Sequence, residues 1–305
     1  MQRYILSSLA QSALVLIGVF VLVFFMVRLT GDPTAVMLAR EASPQQVAAF
    51  RHEMGFDRPV LAQFGDFIAK ALVGNFGNSL HYRTPALPLV LERLPASLEL
   101  AFVALIMAVV IGIPLGLAGG GRPGGWSDLI GRGVGLFGQT IPTFWLALVM
   151  IIVFSVKLRW FPTSGRSDFR SVLMPAFALG LPTMGRIVRL TRSSVVEIMG
   201  EDYVRTARSK GLSARTVFYR HVLRNAAVSL ISVIGIQFGY MLGGSVIIES
   251  VFAWPGLGRL AIESISIRDF PLVQAIALFT SVIVIALNLL TDIAYSFVDP
   301  RIRYG

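Results

Sequence analysis

Long apolar runs alternate along the chain with short breaks that are rich in glycine or basic residues. A helix that crosses a bilayer needs about 20 mostly apolar residues. By that measure the pattern predicts spans over Tyr4–Val27, Leu98–Gly119, Val134–Val156, Ser171–Leu190, Ala226–Ser250 and Pro271–Val298. The first is expected to be retained rather than cleaved as a signal peptide. Its apolar region is too long, and Arg28–Gly31 offers no cleavage site of small residues. The fourth span is the weakest: Pro175 and Pro182 interrupt it, and Arg186 and Arg189 near its end can snorkel to a cytoplasmic interface. Prolines also fall inside the second and third spans, in GIPLG (Gly112–Gly116) and QTIPT (Gln139–Thr143), where they loosen the backbone ladder.

The polar stretch between the first two spans reads as a small helical insertion. Ser43 is an N-cap followed by Pro44 at the first helical position, and Gly55 can close that helix. Pro59–Val73 reads as a second helix, with Leu61, Phe64, Phe67, Ile68 and Leu72 on one side. This insertion either touches an extracytoplasmic partner or packs on the spans as a lid.

Composition agrees with a membrane protein, at 55% hydrophobic and 14% charged residues, where a soluble domain carries about a quarter charged. The net charge of +10 is first a topology signal. Six spans place both termini on one side. With that side cytoplasmic, the short cytoplasmic pieces hold Arg3, Arg122, Arg132, Arg186, Arg189, Arg192, Arg301 and Arg303 against few acids. Both termini are therefore expected inside. The absence of cysteine excludes disulfides and thiolate chemistry. None of the three lysines (Lys70, Lys157, Lys210) follows a phosphate-cradling glycine loop. His52, His81 and His221 lack metal-ligand spacing, and no serine lies in G-x-S-x-G.

One basic stretch stands out between the spans, Tyr203–Arg224 (YVRTARSKGLSARTVFYRHVLR). It reads as two short helices joined by a tight turn. Gly211 suits a left-handed position just past a helix end, and Leu212 can pack back onto Ala207. Ser213 is a good N-cap for the next helix, whose Val217, Phe218, His221 and Val222 share a face. Seven groups that are basic or can become so (Arg205, Arg208, Lys210, Arg215, Arg220, His221, Arg224) cover this elbow.

The elbow resembles the coupling loop of permease subunits of ATP-binding-cassette importers, whose signature is Glu-Ala-Ala, three residues, Gly, nine residues, Ile-x-Leu-Pro. Aligned on Gly211, Arg205, Thr206 and Ala207 fall on Glu-Ala-Ala, and Ala207, Gly211 and Leu223 match outright. The fuller string is similar to the dipeptide/oligopeptide branch, with its forms Y-x-R-T-A-R-x-K-G and R-H-x-L-R-N. Further matches are Gly31–Pro33 (GDP), Phe252–Gly258 (FAWPGLG) and Asp299–Tyr304 (DPRIRY).

This resemblance implies an all-α, polytopic fold of the type I importer kind. Its parts are a helix over 1–28, an extracytoplasmic insertion over 29–95, a permease core over 96–298 with the coupling loop at 191–225, and a cytoplasmic tail over 299–305. Tyr203, Val204, Arg205, Thr206, Ala207, Arg208, Lys210, Gly211 and Leu212 would couple the chain to its ATPase. Trp254, Pro255 and Gly256 would lie near the outer mouth of the pathway.

Implied partners are a second related permease, two cytoplasmic ATPases, an extracytoplasmic binding protein and membrane lipid, in a bacterial inner membrane and without nucleic acid. The chain itself would bind no cofactor, ATP and Mg being used by the ATPases. The solute would be a peptide or a related small molecule. A self-sufficient secondary transporter or channel is the rival reading. It calls for coupling carboxylates deep in the bilayer or an inverted repeat, and the sequence displays neither.

Polar residues inside the spans mark a candidate pathway: Gln237, Tyr240, Ser245 and Asn288. Asn288 and Asp292, one turn apart, line a polar path or lie toward the inner end of their span. Glu249 sits near the outer end of its helix, where an interfacial location explains a carboxylate that would otherwise cost several kcal/mol, about 2.5–3.5 at the bilayer centre. Gly235, Gly239 and Gly243 recur every four residues and suit either close packing within the chain or a pore-side or dimer-side role.

Overall fold

The computed structural model describes residues 2–29, 43–53 and 57–298. Gly55 and the motifs Gly31–Pro33 and Asp299–Tyr304, with the tail, lie outside the described residues. The described chain is helices and turns, with one isolated antiparallel bridge between Asn78 and Pro85. In chain order the helices are α1 (Gln2–Leu29), α2 (Pro44–Glu53), α3 (Val60–Leu72), α4 (Ala86–Gly121), α5 (Trp126–Thr140), α6 (Thr143–Met150, running on as a π-turn over Ile151–Lys157), α7 (Phe169–Gly200), α8 (Asp202–Ser209), α9 (Ala214–Val217), α10 (Arg224–Val251), α11 (Leu257–Ser266) and α12 (Phe270–Val298).

Among the described residues, four stretches are long and apolar enough to cross a membrane alone: α4, α7, Ile234–Val251 of α10 and Phe270–Thr291 of α12. The predicted third span is not one straight helix. It is the pair α5 and α6, bent by 106° at the break. Pro142 supplies no N–H, and it holds Ile141 extended (φ −77°, ψ 122°), so α5 must stop before it. In α1 the apolar run is the shorter Leu9–Phe25.

The chain divides into two compact units. One comprises the described residues within Gln2–Pro95 and Arg259–Ile285. Ser43 caps α2 as expected, its hydroxyl accepting from Gln46 N at 3.3 Å while Gln46 Oε1 accepts from Ser43 N at 2.8 Å. The inward face of α3 is Phe64, Phe67, Ile68 and Ala71, packed against Val23, Phe24 and Phe20 of α1. Leu61 and Leu72, which the pattern placed on that face, are 85% and 73% exposed. Both lie a partial turn to one side of the stripe that the phenylalanines define. In the same unit Asp269, fully buried, accepts hydrogen bonds from the Ser79 hydroxyl, His81 N and Leu272 N and so pins the turn over residues 79–85.

The other unit comprises the described residues within Ala96–Gly258 and Ala286–Gly305, and α7 is its centre. Asp168 and Ser171 form a reciprocal capping box at the start of α7, and the helix continues to Gly200, ten residues beyond the predicted end at Leu190. Pro175 and Pro182 do not interrupt it. Neighbouring helices enclose it, with 72% of its apolar window buried against 33% for α4. A Cβ on Gly112, Gly116 or Gly120 of α4 would lie 3.0, 2.5 and 2.7 Å from Ile187, Thr191 and Val195 of α7. On another side, Gly135 and Gly138 of α5 approach Arg189 and the Leu181 carbonyl just as closely. Two glycine faces thus clamp α7, and this packing outweighs the two missing backbone donors. The least apolar of the expected spans is the most enclosed, because protein rather than lipid surrounds it.

Candidate functional site

The elbow begins where α7 ends at Gly200. Helix α8 closes with the hydrogen-bond pair of a Schellman turn: Leu212 N donates to Ala207 O (3.3 Å) and Gly211 N to Arg208 O (2.9 Å). Gly211 has φ +79° with open space around it, so conformation and not crowding selects glycine here. The Ser213 hydroxyl accepts from Thr216 N at 3.2 Å and caps α9. The second short helix is not separate from the next span, however. From Ala214 the chain runs through a π-turn over Phe218–Leu223 directly into α10.

Packing sorts the nine predicted coupling residues into two groups. Val204 (0% exposed) and Ala207 (6%) form a small core with Val217 and Ile198. They hold the elbow to the protein itself and present no contact face, contrary to the sequence expectation. Tyr203, Arg205, Thr206, Arg208, Lys210, Gly211 and Leu212 are exposed. The arrangement follows from helix geometry, since Val204 and Ala207 stand three apart on one side of α8 and the charged residues occupy the other. Arg205 lies 3.6 Å from Asp202, while Tyr203 Oη accepts from Asn225 Nδ2 at 3.2 Å.

Behind the elbow, a cavity of about 480 Å³ is lined by Leu117 of α4, Arg122 just after it, Met199 of α7, Arg208 of α8 and Phe218. Beside it Asp128, 1% exposed, takes Arg192 in a two-pronged ion pair, with Arg132 at 3.3 Å and Gly124 N at 2.9 Å. The glycine-rich break before α5 is therefore a fastened turn.

The turn over Phe252–Gly258 has the opposite character. Glu249 is fully buried, not interfacial, and accepts from the Ser97 hydroxyl (2.7 Å) and the Ser245 hydroxyl (2.9 Å). Ser97 Oγ in turn accepts from Leu257 N at 2.8 Å, and Trp254 Nε1 donates to Ala96 O at 2.8 Å. A Cβ on Gly256 would stand 2.4 Å from the Glu249 carboxyl, so this glycine is required by close approach. Trp254 is 0% exposed and Pro255 half-buried. The FAWPGLG segment is a packed plug in which Trp254 and Gly256 are buried and Pro255 half-buried.

The four pathway candidates do not share one surface. Tyr240 (67% exposed) and Asn288 are on the outside of the chain, Ser245 is tied to Glu249, and Gln237 is buried between α7 and α10. Gln237 Oε1 accepts from Arg186 Nη1 at 2.9 Å and lies 3.4 Å from Thr183 Oγ1. Arg186 is thus a charge inside a largely apolar helix, and its side chain has a fixed polar partner. The glycines of α10 also divide, Gly235 pressing on Thr291 and Gly243 facing open space. No group of three or more metal-ligating side chains occurs among the described residues.

Residues 108–304 match the family described as binding-protein-dependent transport system inner membrane component, and residues 1–101 match the N-terminal family of such membrane components. The chain is 39% identical over 313 residues to a putative peptide transport system permease protein of Brucella abortus (strain 2308), covering 100% of both chains. It is 38% identical over 305 residues to the glutathione transport system permease protein GsiC of Salmonella typhi, again covering 100% of both. In fold it is similar to the MetNI methionine ABC transporter in an inward-facing conformation, with TM-score 0.58 and 20% identity over 69% of this chain and 96% of that chain.

Proposed function

The chain belongs to the family of binding-protein-dependent transport system inner membrane components, and from that premise we propose that it carries small peptides inward, driven by a separate ATPase seated on the elbow. The exposed face of Tyr203, Arg205, Thr206, Arg208, Lys210, Gly211 and Leu212 receives the ATPase, and Val204 and Ala207 transmit its movement to α7 through Ile198. The observation that carries this reading is that the elbow is anchored by one apolar face and leaves the other, basic face unoccupied. The peptide class rests on the full-length similarity to permeases named for peptide and glutathione transport.

In this reading the elbow and both termini are cytoplasmic, a second, different permease completes the pathway, and a binding protein delivers the solute from outside. ATP and Mg are handled by the two ATPases, and this chain has no catalytic role. The Phe252–Gly258 plug lies at the external end.

Leu212→Glu tests the docking surface, because Leu212 is exposed at the turn and lies outside the small core of Val204, Ala207, Val217 and Ile198. The expected result is an inserted, stably folded subunit that no longer co-purifies with its ATPase and no longer supports dipeptide uptake. Normal ATPase retention with normal uptake overturns the proposal. Orientation is tested by single cysteines at Ser43 and Ser213 in a chain that has none of its own. An impermeant thiol reagent added to intact cells should modify the first and spare the second.

A further inference from the structure

Helix α7 changes character at Arg186. From Ser171 to Gly185 no residue is exposed, whereas beyond it Arg186, Arg189, Ser193 and Glu197 are exposed at spacings of three, four and four. That spacing makes one stripe along one side of the helix. Of the exposed residues between Arg186 and Glu197, only Val196 is apolar. The opposite side (Met184, Ile187, Val188, Thr191, Val195) is buried. Arg186 lies about 21 Å along the axis from Gly200 and roughly 25 Å from Phe169, at 1.5 Å per residue.

The guanidinium does not snorkel toward the Gly200 end, as the sequence suggested. The oxygen it binds, Gln237 Oε1, is also approached by Thr183, one turn nearer the start of the helix. Arg186 thus reaches back toward the enclosed half of α7, away from the elbow. Among the described residues it has no ion pair, and the neutral Gln237 amide is the partner that orients it. A lipid-facing stripe of two arginines, a serine and a glutamate is strongly disfavoured, and charges within spans face water-filled cavities or partner subunits.

We infer that Arg186, positioned by Gln237, is an anion station at the inner end of a water-filled vestibule and takes a carboxylate of the passing solute. This rests on the peptide-import reading, in which every unmodified solute carries a terminal carboxylate. The planar guanidinium fork matches that group in two-pronged geometry. Solute charge would then be read within the membrane as well as by the binding protein.

The test uses the whole transporter in inside-out vesicles. Ser193→Cys, on the same stripe, is treated with anionic and cationic methanethiosulfonates, and the ratio of their rates is measured. Adding Arg186→Gln should lower the anionic-to-cationic ratio roughly threefold or more, and Arg186→Lys should restore it. A ratio unmoved by Arg186→Gln, or a cysteine that neither reagent reaches, overturns the inference. In the same vesicles, dipeptide transport should fall roughly tenfold or more with Arg186→Gln and substantially less with Arg186→Lys. Transport unchanged by Arg186→Gln overturns the carboxylate role. Failure of the parent transporter to move any dipeptide refutes the peptide reading instead, because the reagent ratio does not depend on the solute.

Discussion

Two glycine-centred turns in the same unit are built for opposite purposes. At the elbow, Gly211 has φ +79° and nothing within 4 Å of where a Cβ would be. In the plug, Gly256 has a carboxyl 2.4 Å from that position. The elbow is exposed and held by a small core of Val204, Ala207, Val217 and Ile198. The plug is buried and tied to the preceding helix α10 and to the distant helix α4, with Glu249 and Ser97 at its heart. The elbow is anchored along one edge and left open along the other. The plug has its polar groups paired inside the protein, where an unpaired one is costly.

The sharpest way to break this contrast is Gly256→Val. The added carbons cannot fit beside Glu249 without displacing it, and overpacking with loss of its hydrogen bonds should destabilise the subunit by about 3 kcal/mol. Thermal inactivation in detergent would register a lower midpoint and reduced yield. Ser97→Ala comes next. It removes one of the two hydroxyls that donate to Glu249 Oε1 and strands Leu257 N, at an expected cost of about 1–3 kcal/mol by the same measurement. A variant as stable as the parent would mean that the plug is not held as described.

Gly211→Val should act differently. A β-branched residue at positive φ introduces about 1–3 kcal/mol of strain, but open space allows the turn to relieve it by changing the angle between α8 and α9. The thermal midpoint of the spans should hardly move, while ATPase co-purification and uptake fall together. If uptake disappears with the ATPase still fully bound, the turn is not the docking element. The smallest effect is expected for Arg205→Ala. Its 3.6 Å contact with Asp202 is between exposed groups, so stability should be unchanged and ATPase retention only slightly reduced.

The sequence by itself determined what short-range rules govern. Apolar runs located four spans and the bent pair α5–α6 among the described residues, Ser43 and Ser213 capped the helices that they were expected to cap, and Gly211 took the expected left-handed turn after α8. The motifs of the elbow and of FAWPGLG pointed to the family to which the chain belongs. All of these depend on residues within about one or two helical turns of one another. Tertiary structure decided the rest. The same residue type ends a helix at Pro142 and is absorbed at Pro175 and Pro182, where glycine faces of α4 and α5 clamp α7. Glu249 has the local signature of an interfacial carboxylate, yet Ser97, some 150 residues away, makes it a buried anchor. Val204 and Ala207 carry a signature that suits docking, but Val217 and Ile198 cover them. Burial is set by whichever surface arrives from elsewhere in the chain, and no local window of sequence contains that surface.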